Sequence, residues 1–403
     1  MDKIGVCLFD DPKLASSGWA SVAGETAKRI SGAAELSSAE VWVTNVDFRT
    51  YRALSFHKAP HIFDTQYFRT SMRMLVKELG LEDDHKTAAS VFSEIFTRTL
   101  KQAVDVFGLQ PREPEYRFSS LLGGHLLSPR FRRGPQGPNA AEIQLGINHA
   151  YQANQAMFNR RPPQGSTAQV FTFPRERYAR WLLSLPYPSG DRWKTIAHKE
   201  SELVIGVQDG SEIPGTRAAL QRLRKKAQTS AVFLRISVLS IDRFFQDFAS
   251  FGVGGFDVKA RRWATLPEVI EISRYSKISL MGGFQCPLTR LGLSDRLSTD
   301  ARPFSFSRGL LLENAWVGLS GRINGSKDET ALGAYMRAYD RLACNRVAEQ
   351  FARYNVVIGS YGTGRVVAYV PENEKKAITQ LALAKRVLPP LSMTKGLSLD
   401  GNI

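Results

Sequence analysis

The 403-residue sequence lacks the features that mark membrane proteins, secreted proteins and metalloproteins. No apolar run approaches the roughly 18–20 residues that a membrane-spanning helix needs. The N-terminus lacks the charged-then-apolar pattern of a signal peptide. Cys7, Cys286 and Cys344 are far apart, which excludes a disulfide framework and a Cys-x-x-Cys metal site. The sequence therefore predicts a cytoplasmic protein without a membrane partner, a metal or another cofactor.

Signatures of common enzyme active sites are also missing. The glycine run Gly359–Gly364 does not end in the Lys-Ser/Thr pair of a phosphate-binding loop, and a hairpin turn explains its glycines. None of the six histidines stands in a recognisable Ser/His/Asp or Cys/His arrangement. No polymerase, helicase or kinase signature is found. We therefore expect that the protein is not an enzyme.

One N-terminal segment has a recognisable pattern. Residues 5–20, GVCLFDDPKLASSGWA, resemble the first hairpin of RuvC-type, RNase H-like nucleases, in which a strand delivers a metal-binding Asp. Two-metal hydrolysis requires three or four carboxylates around cations about 4 Å apart. Asp10 or Asp11 could supply one and Asp47 another, but the Asp-Asp-Pro sequence departs from the family's Asp-Pro-Gly type of turn. We favour a structural turn and keep a metal-dependent nuclease or resolvase as an alternative.

What the sequence has in excess is positive charge, and the excess is unevenly distributed. The net charge is +16, with an isoelectric point near 9.8. Residues 1–110 carry 13 Lys and Arg against 14 Asp and Glu, whereas residues 111–403 carry 41 against 24. A strongly basic region is typical of a protein that binds a polyanion. Many of its cations are Arg, whose planar guanidinium suits phosphates and bases, so we prefer this interpretation to a merely solubilising surface.

Hydrophobic periodicity predicts a mixed α/β (α+β) fold in two parts. Residues 1–109 form a small, near-neutral α/β unit, which is a candidate partner-binding unit, and residues 140–390 form a larger basic mixed α/β body. Residues 110–139 are rich in Pro, Gly and Arg and are predicted to be a loop or linker, and 391–403 a flexible tail. The predicted elements include a strand at Ile4–Phe9, a helix at Lys86–Phe107 and a hairpin at Val356–Gly359 and Arg365–Val370.

Clusters that mix arginine with aromatic residues mark the candidate contact sites. Proteins that bind single strands use Arg to neutralise phosphate and rings to stack on bases, at about 1–3 kcal/mol per base. The predicted nucleic-acid-binding residues are Arg130, Phe131, Arg132, Arg133, Arg160, Arg161, Arg177, Arg180, Arg261, Arg262, Trp263, Arg302, Phe304 and Arg308. Tyr178 and Trp181 lie in the same clusters, and Phe351, Arg353 and Tyr354 form another. Any single ring among them is more simply explained as core.

The overall profile resembles the Drc-type single-stranded-DNA-binding proteins of certain tailed phages. The resemblance rests on a mass near 45 kDa, the basic balance, the lack of catalytic motifs and the RRPPQG loop at 160–165. It implies a sequence-tolerant cofactor that holds unwound template for a phage RNA polymerase or replication protein, in the host bacterial cytoplasm. A non-catalytic subunit of a nucleoprotein assembly remains a further alternative.

Overall fold

A computed structural model describes most of the chain, and every structural statement below concerns the residues that it describes. These are residues 3–59, 61–68, 70–109, 117–132, 134–151, 156–157, 162–196, 203–242, 263–293, 306–321, 327–354 and 356–394. In these ranges no helix is both long and apolar enough to cross a bilayer.

Strands and helices are mixed along the chain, so the predicted α+β class is confirmed. The strands are β1 (Ile4–Phe9), β2 (Gly18–Val22), β3 (Lys28–Ile30), β4 (Val41–Thr44), β5 (Ile62–Phe63), β6 (Ala156–Met157), β7 (Ser166–Thr172), β8 (Pro186–Pro188), β9 (Lys194–Ile196), β10 (Leu203–Gln208), β11 (Ser211–Glu212), β12 (Ser230–Ile241), β13 (Trp263–Thr265), β14 (Ser276–Arg290), β15 (Val357–Gly362) and β16 (Arg365–Pro371). The helices are α1 (Phe48–Ala53), α2 (Met72–Glu78), α3 (His85–Phe107), α4 (Phe118–Leu126), α5 (Pro129–Arg132), α6 (Ala140–Tyr151), α7 (Arg175–Ser184), α8 (Thr216–Ala227), α9 (Leu266–Ile272), α10 (Phe306–Leu319), α11 (Ala331–Arg353), α12 (Lys375–Ala384) and α13 (Leu391–Thr394).

The chain folds into two compact units whose boundary differs from the predicted one. The first unit comprises residues 1–126 and 294–318, and the second comprises residues 127–293 and 319–403. The sequence predicted a first unit that ends at 109. Local periodicity cannot reveal that a segment far along the chain completes an earlier unit, which is why the prediction missed residues 294–318.

The excess of positive over negative charge lies entirely in the second unit. The first unit carries 18 Lys and Arg against 19 Asp and Glu, a net charge of −1. The second unit carries 36 against 19, a net charge of +17. The contrast seen along the sequence therefore persists when the chain is divided by its folded units.

A five-stranded sheet with the order β3-β2-β1-β4-β5 organises the first unit. β1 is buried along its whole length, as expected for a continuous apolar run at the centre of a sheet. It pairs antiparallel with β2 and parallel with β4. The predicted helix near 86–107 is confirmed as α3, which begins behind the N-cap Asp84 and ends at Gly108 in the left-handed region. Its Thr97 hydroxyl accepts a hydrogen bond from the N–H of Ile4 at 3.0 Å.

Helix α10 comes late in the sequence but packs in the first unit, where its backbone contacts the backbone of α4. A Cβ atom added to Gly318 would lie 1.9 Å from the carbonyl oxygen of Ser119, and one added to Gly123 would lie 2.3 Å from that of Gly318. Only glycine permits this approach. The hydroxyl of Thr70 also bonds the Glu313 carboxylate at 3.0 Å. Residues 306–318 are therefore an integral part of the first unit.

The second unit contains two sheets and the long helix α11. Strands β11-β10-β14-β12-β13 form one sheet, in which β8 and β9 also pair with β14, and β6-β15-β16-β7 form the other. The predicted hairpin is confirmed as β15 and β16. α11 is buried over most of its length, and the buried residues include Asp340, Arg341 and Glu349. The interior of the second unit is therefore partly polar.

Two contacts show how the second unit satisfies these polar groups. The Arg341 guanidinium bonds the Glu268 carboxylate at 2.6 Å, and both side chains are fully buried. Asp340 accepts hydrogen bonds from the hydroxyl of Tyr178 at 2.7 Å and from the N–H of Gly364 at 2.7 Å. Burial raises the pKa of Asp340 above its usual value despite these donors. α11 is thereby tied to α9, α7 and the β15–β16 turn.

Candidate nucleic-acid interface

The outer face of α7 carries an arginine and a tryptophan one turn apart. Its inner face is set by Tyr178, Ala179 and Leu182, which are buried at helical spacing. The opposite side therefore turns Arg177 outward, and Trp181 is 40% exposed. A cation and a ring at this spacing can contact one phosphate and one adjacent base of a single strand.

A second arginine on α7 has a carboxylate partner. The Arg180 guanidinium lies 3.0 Å from Glu176, one turn earlier in the helix. This is the usual intrahelical geometry for an ion pair. Part of the Arg180 charge is thus neutralised locally, so we expect Arg177 to contribute more to polyanion binding than Arg180.

The exposed face of α8 is a row of cations. Ala219, Leu220 and Leu223 pack against the core of the second unit. The helix therefore projects Arg222, Arg224 and Lys225 into solvent, and within the described part of the chain no ion pair joins them to a carboxylate. Cations in the last turn also interact favourably with the helix dipole, which gives them a structural role as well.

Two predicted contact rings are buried and do not belong to an exposed interface. Phe131 is 6% exposed and lines a small cavity with Ile147 and Leu332. Trp263 is 5% exposed and stacks on Phe284, with ring centroids 5.6 Å apart. Burial of a large aromatic side chain stabilises the core, so apolar packing takes precedence over exposure at both positions. We therefore do not include either ring in the interface.

The remaining predicted contact residues fall into three groups. Arg177 and Arg180 lie on α7 as described, and Arg308 lies on α10 in the near-neutral first unit. The backbone of Arg130 and Arg132 forms part of α5, and their side chains are outside the description. Outside the described residues are Arg133, Arg160, Arg161, Arg261, Arg262, Arg302 and Phe304. Binding by all these side chains stays a prediction.

The α8 cations were missed as site residues although the sequence contains their signal. Ala219, Leu220 and Leu223 recur at helical spacing, which assigns one face to the core. Arg222, Arg224 and Lys225 fall on other faces of the same helix. The search for mixed arginine-aromatic clusters passed over them because α8 has no aromatic residue.

The carboxylates near the N-terminal hairpin have structural partners. Asp10 follows β1 and is bound by both terminal nitrogens of Arg29 and by the Ser17 hydroxyl, the latter at 2.9 Å. The hydrogen bonds from Arg29 hold the pKa of Asp10 below its usual value. Asp11 accepts the N–H of Lys13 within the turn, at 2.8 Å.

The other candidate carboxylate, Asp47, caps a helix. Its side chain accepts the N–H of Thr50 at 2.8 Å at the beginning of α1. Across the ranges that the structure describes, no group of three or more His, Cys, Asp and Glu side chains is placed to hold a metal ion. Asp10, Asp11 and Asp47 thus act as an ion-pair partner, a turn residue and a cap.

Comparison with known proteins gives structural neighbours but no family. No family model matches the chain, and no curated protein matches it. Similar solved structures include phi29 DNA polymerase with primer-template DNA and incoming nucleotides, at 12% identity and a TM-score of 0.41, covering 93% of this chain and 82% of the polymerase. They also include its orthorhombic crystal form, at 11% and 0.45, covering 92% and 81%. In the complex with single-stranded DNA the values are 12% and 0.44, covering 93% and 82%.

These neighbours correct one prediction. The expectation that the chain is not an enzyme is wrong by this comparison, because the neighbouring structures are those of a DNA polymerase. We do not keep that expectation. At such identities and TM-scores, no residue or reaction of the polymerase is transferred to this chain.

Proposed function

We propose that this protein binds single-stranded DNA through its second unit, with little preference for sequence. In this role it holds unwound template for a phage polymerase as a transcription or replication cofactor. Such a role is what the resemblance to Drc-type proteins implies. The near-neutral first unit is then available for the protein partner, an RNA polymerase or a replication protein.

The observation that carries the proposal is the confinement of the charge excess to one folded unit. A net charge of +17 on the second unit attracts a polyanion, and the −1 of the first does not. An excess of positive charge that served only solubility would be expected on both units. The distribution therefore supports a polyanion-binding surface on the second unit.

The exposed side chains of α7 and α8 support a single strand as the polyanion. Arg222, Arg224 and Lys225 offer contacts to phosphates, which carry no sequence information. Trp181 offers an exposed ring, and a ring can stack only on a base that is accessible outside a duplex. Together they favour sequence-tolerant binding of an open strand.

The test compares single-stranded and duplex DNA on the full-length protein. Fluorescence anisotropy with labelled oligothymidylate, a mixed-sequence single strand and the matching duplex is measured from about 50 to about 200 mM salt. We expect similar affinities for the two single strands, weaker binding of the duplex, and a linear decrease of log affinity with log salt. Equal affinity for duplex and single strand, or binding that does not respond to salt, would refute the proposal.

A further inference from the structure

Three arginines of the second unit converge on a pair of buried glutamates. Glu271 lies on α9 and Glu349 on α11, and both carboxylates are almost wholly buried. Arg274 contacts both of them, at 3.5 Å for Glu349. Arg346 lies 3.4 Å from Glu271, and Arg353 lies 2.7 Å from Glu349. The shared carboxylates bring the three guanidinium groups together at one place.

The carboxylates of this cluster are held in place by hydrogen bonds. The Tyr275 hydroxyl lies 3.1 Å from Glu271 and 2.8 Å from Glu349. Burial alone would raise the pKa of Glu349, but hydrogen bonds from Arg353 and Tyr275 more than offset it, and the pKa lies below its usual value. The two glutamates therefore act as fixed supports under the arginines.

The cluster has more positive charge than these supports neutralise. Three guanidinium groups face two carboxylates, which leaves one positive charge in excess. Arg346, Arg353 and Arg274 have side chains that are 65%, 60% and 43% exposed. Each guanidinium has five N–H donors, and the contacts described above use only one or two nitrogens of each. Donors therefore remain for a ligand approaching from solvent.

An exposed ring directly follows one arginine of the cluster in the sequence. Tyr354 directly follows Arg353 at the end of α11, and its side chain is 54% exposed. The neighbouring Phe351 is fully buried, so of this predicted aromatic pair Phe351 belongs to the core and Tyr354 to the surface. A preorganised set of guanidiniums and an exposed ring one residue further along the chain are the two kinds of group that bind the phosphate and the base of a nucleotide in a single strand.

We propose that Arg274, Arg346 and Arg353 form a phosphate-binding site for single-stranded DNA, with Tyr354 stacking on the adjacent base. The inference deepens the proposed function and depends on it. Glu271, Glu349 and Tyr275 are positioning residues, because they orient the arginines without contacting DNA. The site residues lie on or next to α9 and α11, not on α7 or α8, and the ligand that we propose for them is a phosphodiester.

The test is a matched pair of double variants of the full-length protein. Arg346→Gln/Arg353→Gln removes two site cations, and Arg192→Gln/Arg217→Gln removes two exposed arginines elsewhere in the second unit. Each control arginine lies near a single carboxylate, Asp191 at 3.8 Å or Glu212 at 4.0 Å. Both variants change the net charge by the same amount, so differences in DNA binding report position and not total charge.

The expected result is at least a tenfold weaker binding of labelled oligothymidylate by the site variant, with a salt slope lower by about 1.4, or about 0.7 per lost phosphate contact. The control variant should bind within about twofold of the wild type. Equal losses in both variants, or wild-type binding by the site variant, would overturn the inference. Failure of the wild type itself to bind single strands would instead refute the proposed function.

Two further measurements apply even if the site variant does not fold. Tyr354→Ala removes an exposed ring outside the ion-pair network, and we expect it to weaken binding about fivefold or more. In the wild type, oligothymidylate should protect Arg346 and Arg353 from phenylglyoxal modification while Arg192 stays reactive. Unchanged binding by Tyr354→Ala together with unprotected arginines would contradict the site.

Discussion

The two units of this protein differ in how far they bury charged residues. In the first unit, Asp10 and Arg29 form an ion pair that is exposed on both sides. In the second unit, the pair of Arg341 and Glu268 is fully buried, as are Asp340 on α11 and Glu271 on α9. Several acidic side chains of the second unit are thus buried in its interior. Its surface is consequently more basic than a net charge of +17 alone would suggest.

We expect the largest effect on stability from the ion pairs, because the buried pair of the second unit should stabilise the fold more than the exposed pair of the first unit. Arg341→Met removes the buried cation that faces the Glu268 carboxylate, and we expect the free energy of unfolding to fall by about 3–5 kcal/mol. The matched change in the first unit, Arg29→Met, should cost about 0–1 kcal/mol because its pair is exposed to solvent. Urea unfolding of both variants measures the difference, and equal losses would contradict it.

DNA binding should depend on the cations of the second unit only. The triple variant Arg222→Gln/Arg224→Gln/Lys225→Gln loses three phosphate contacts, each worth about 1 kcal/mol, so affinity for oligothymidylate should fall about 100-fold. The control in the first unit, Arg73→Gln/Arg98→Gln/Lys101→Gln, removes the same charge from exposed positions. If anisotropy shows equal losses for the two triples, binding follows total charge and the contrast between the units fails.

We expect the same difference between the units for exposed aromatic rings. Trp181→Ala should cost about 1–3 kcal/mol of binding to a single strand, since it removes one stacking ring. Phe48→Ala is the control, because Phe48 is 52% exposed in the first unit. We expect the control to bind like the wild type. A titration in which both variants bind normally would remove Trp181 from the interface.

The smallest expected effect is a pH dependence of stability in the second unit. The pKa of Glu349 is lowered in the folded protein, so its ionised form stabilises the fold above the usual Glu pKa of about 4.3. The stabilisation is lost as pH falls through that value and below. The stability difference between wild type and Glu349→Gln, followed by thermal unfolding, should therefore shrink as the pH falls. A difference that is constant with pH would contradict this assignment.

The sequence was sufficient to predict the strands, helices and turns that local interactions determine. The continuous apolar run of β1, the helical periodicity of α3 and the turn between β15 and β16 were all confirmed. Each follows from neighbouring residues alone. The class of fold could be predicted for the same reason, since it depends on which elements occur and not on how they pack.

The site was less predictable because exposure depends on tertiary packing. Phe131 and Trp263 look like surface rings beside arginines, yet both pack into the core. The supports of the arginine cluster, Glu271 and Glu349, lie 78 positions apart in the sequence and meet only in the fold. No spacing rule links such residues. The charge distribution could therefore be predicted from the sequence, whereas the grouping of these side chains is seen only in the folded structure.

The glycine contact between α4 and α10 has a consequence for the order of synthesis. Domains generally fold from the N-terminus while the chain is being made. Here residues 1–126 cannot complete their packing until α10, at Phe306–Leu319, has left the ribosome. Most of the second unit is translated in that interval. The surfaces of α3 and α4 that contact α10 therefore stay uncovered while most of the second unit is being made.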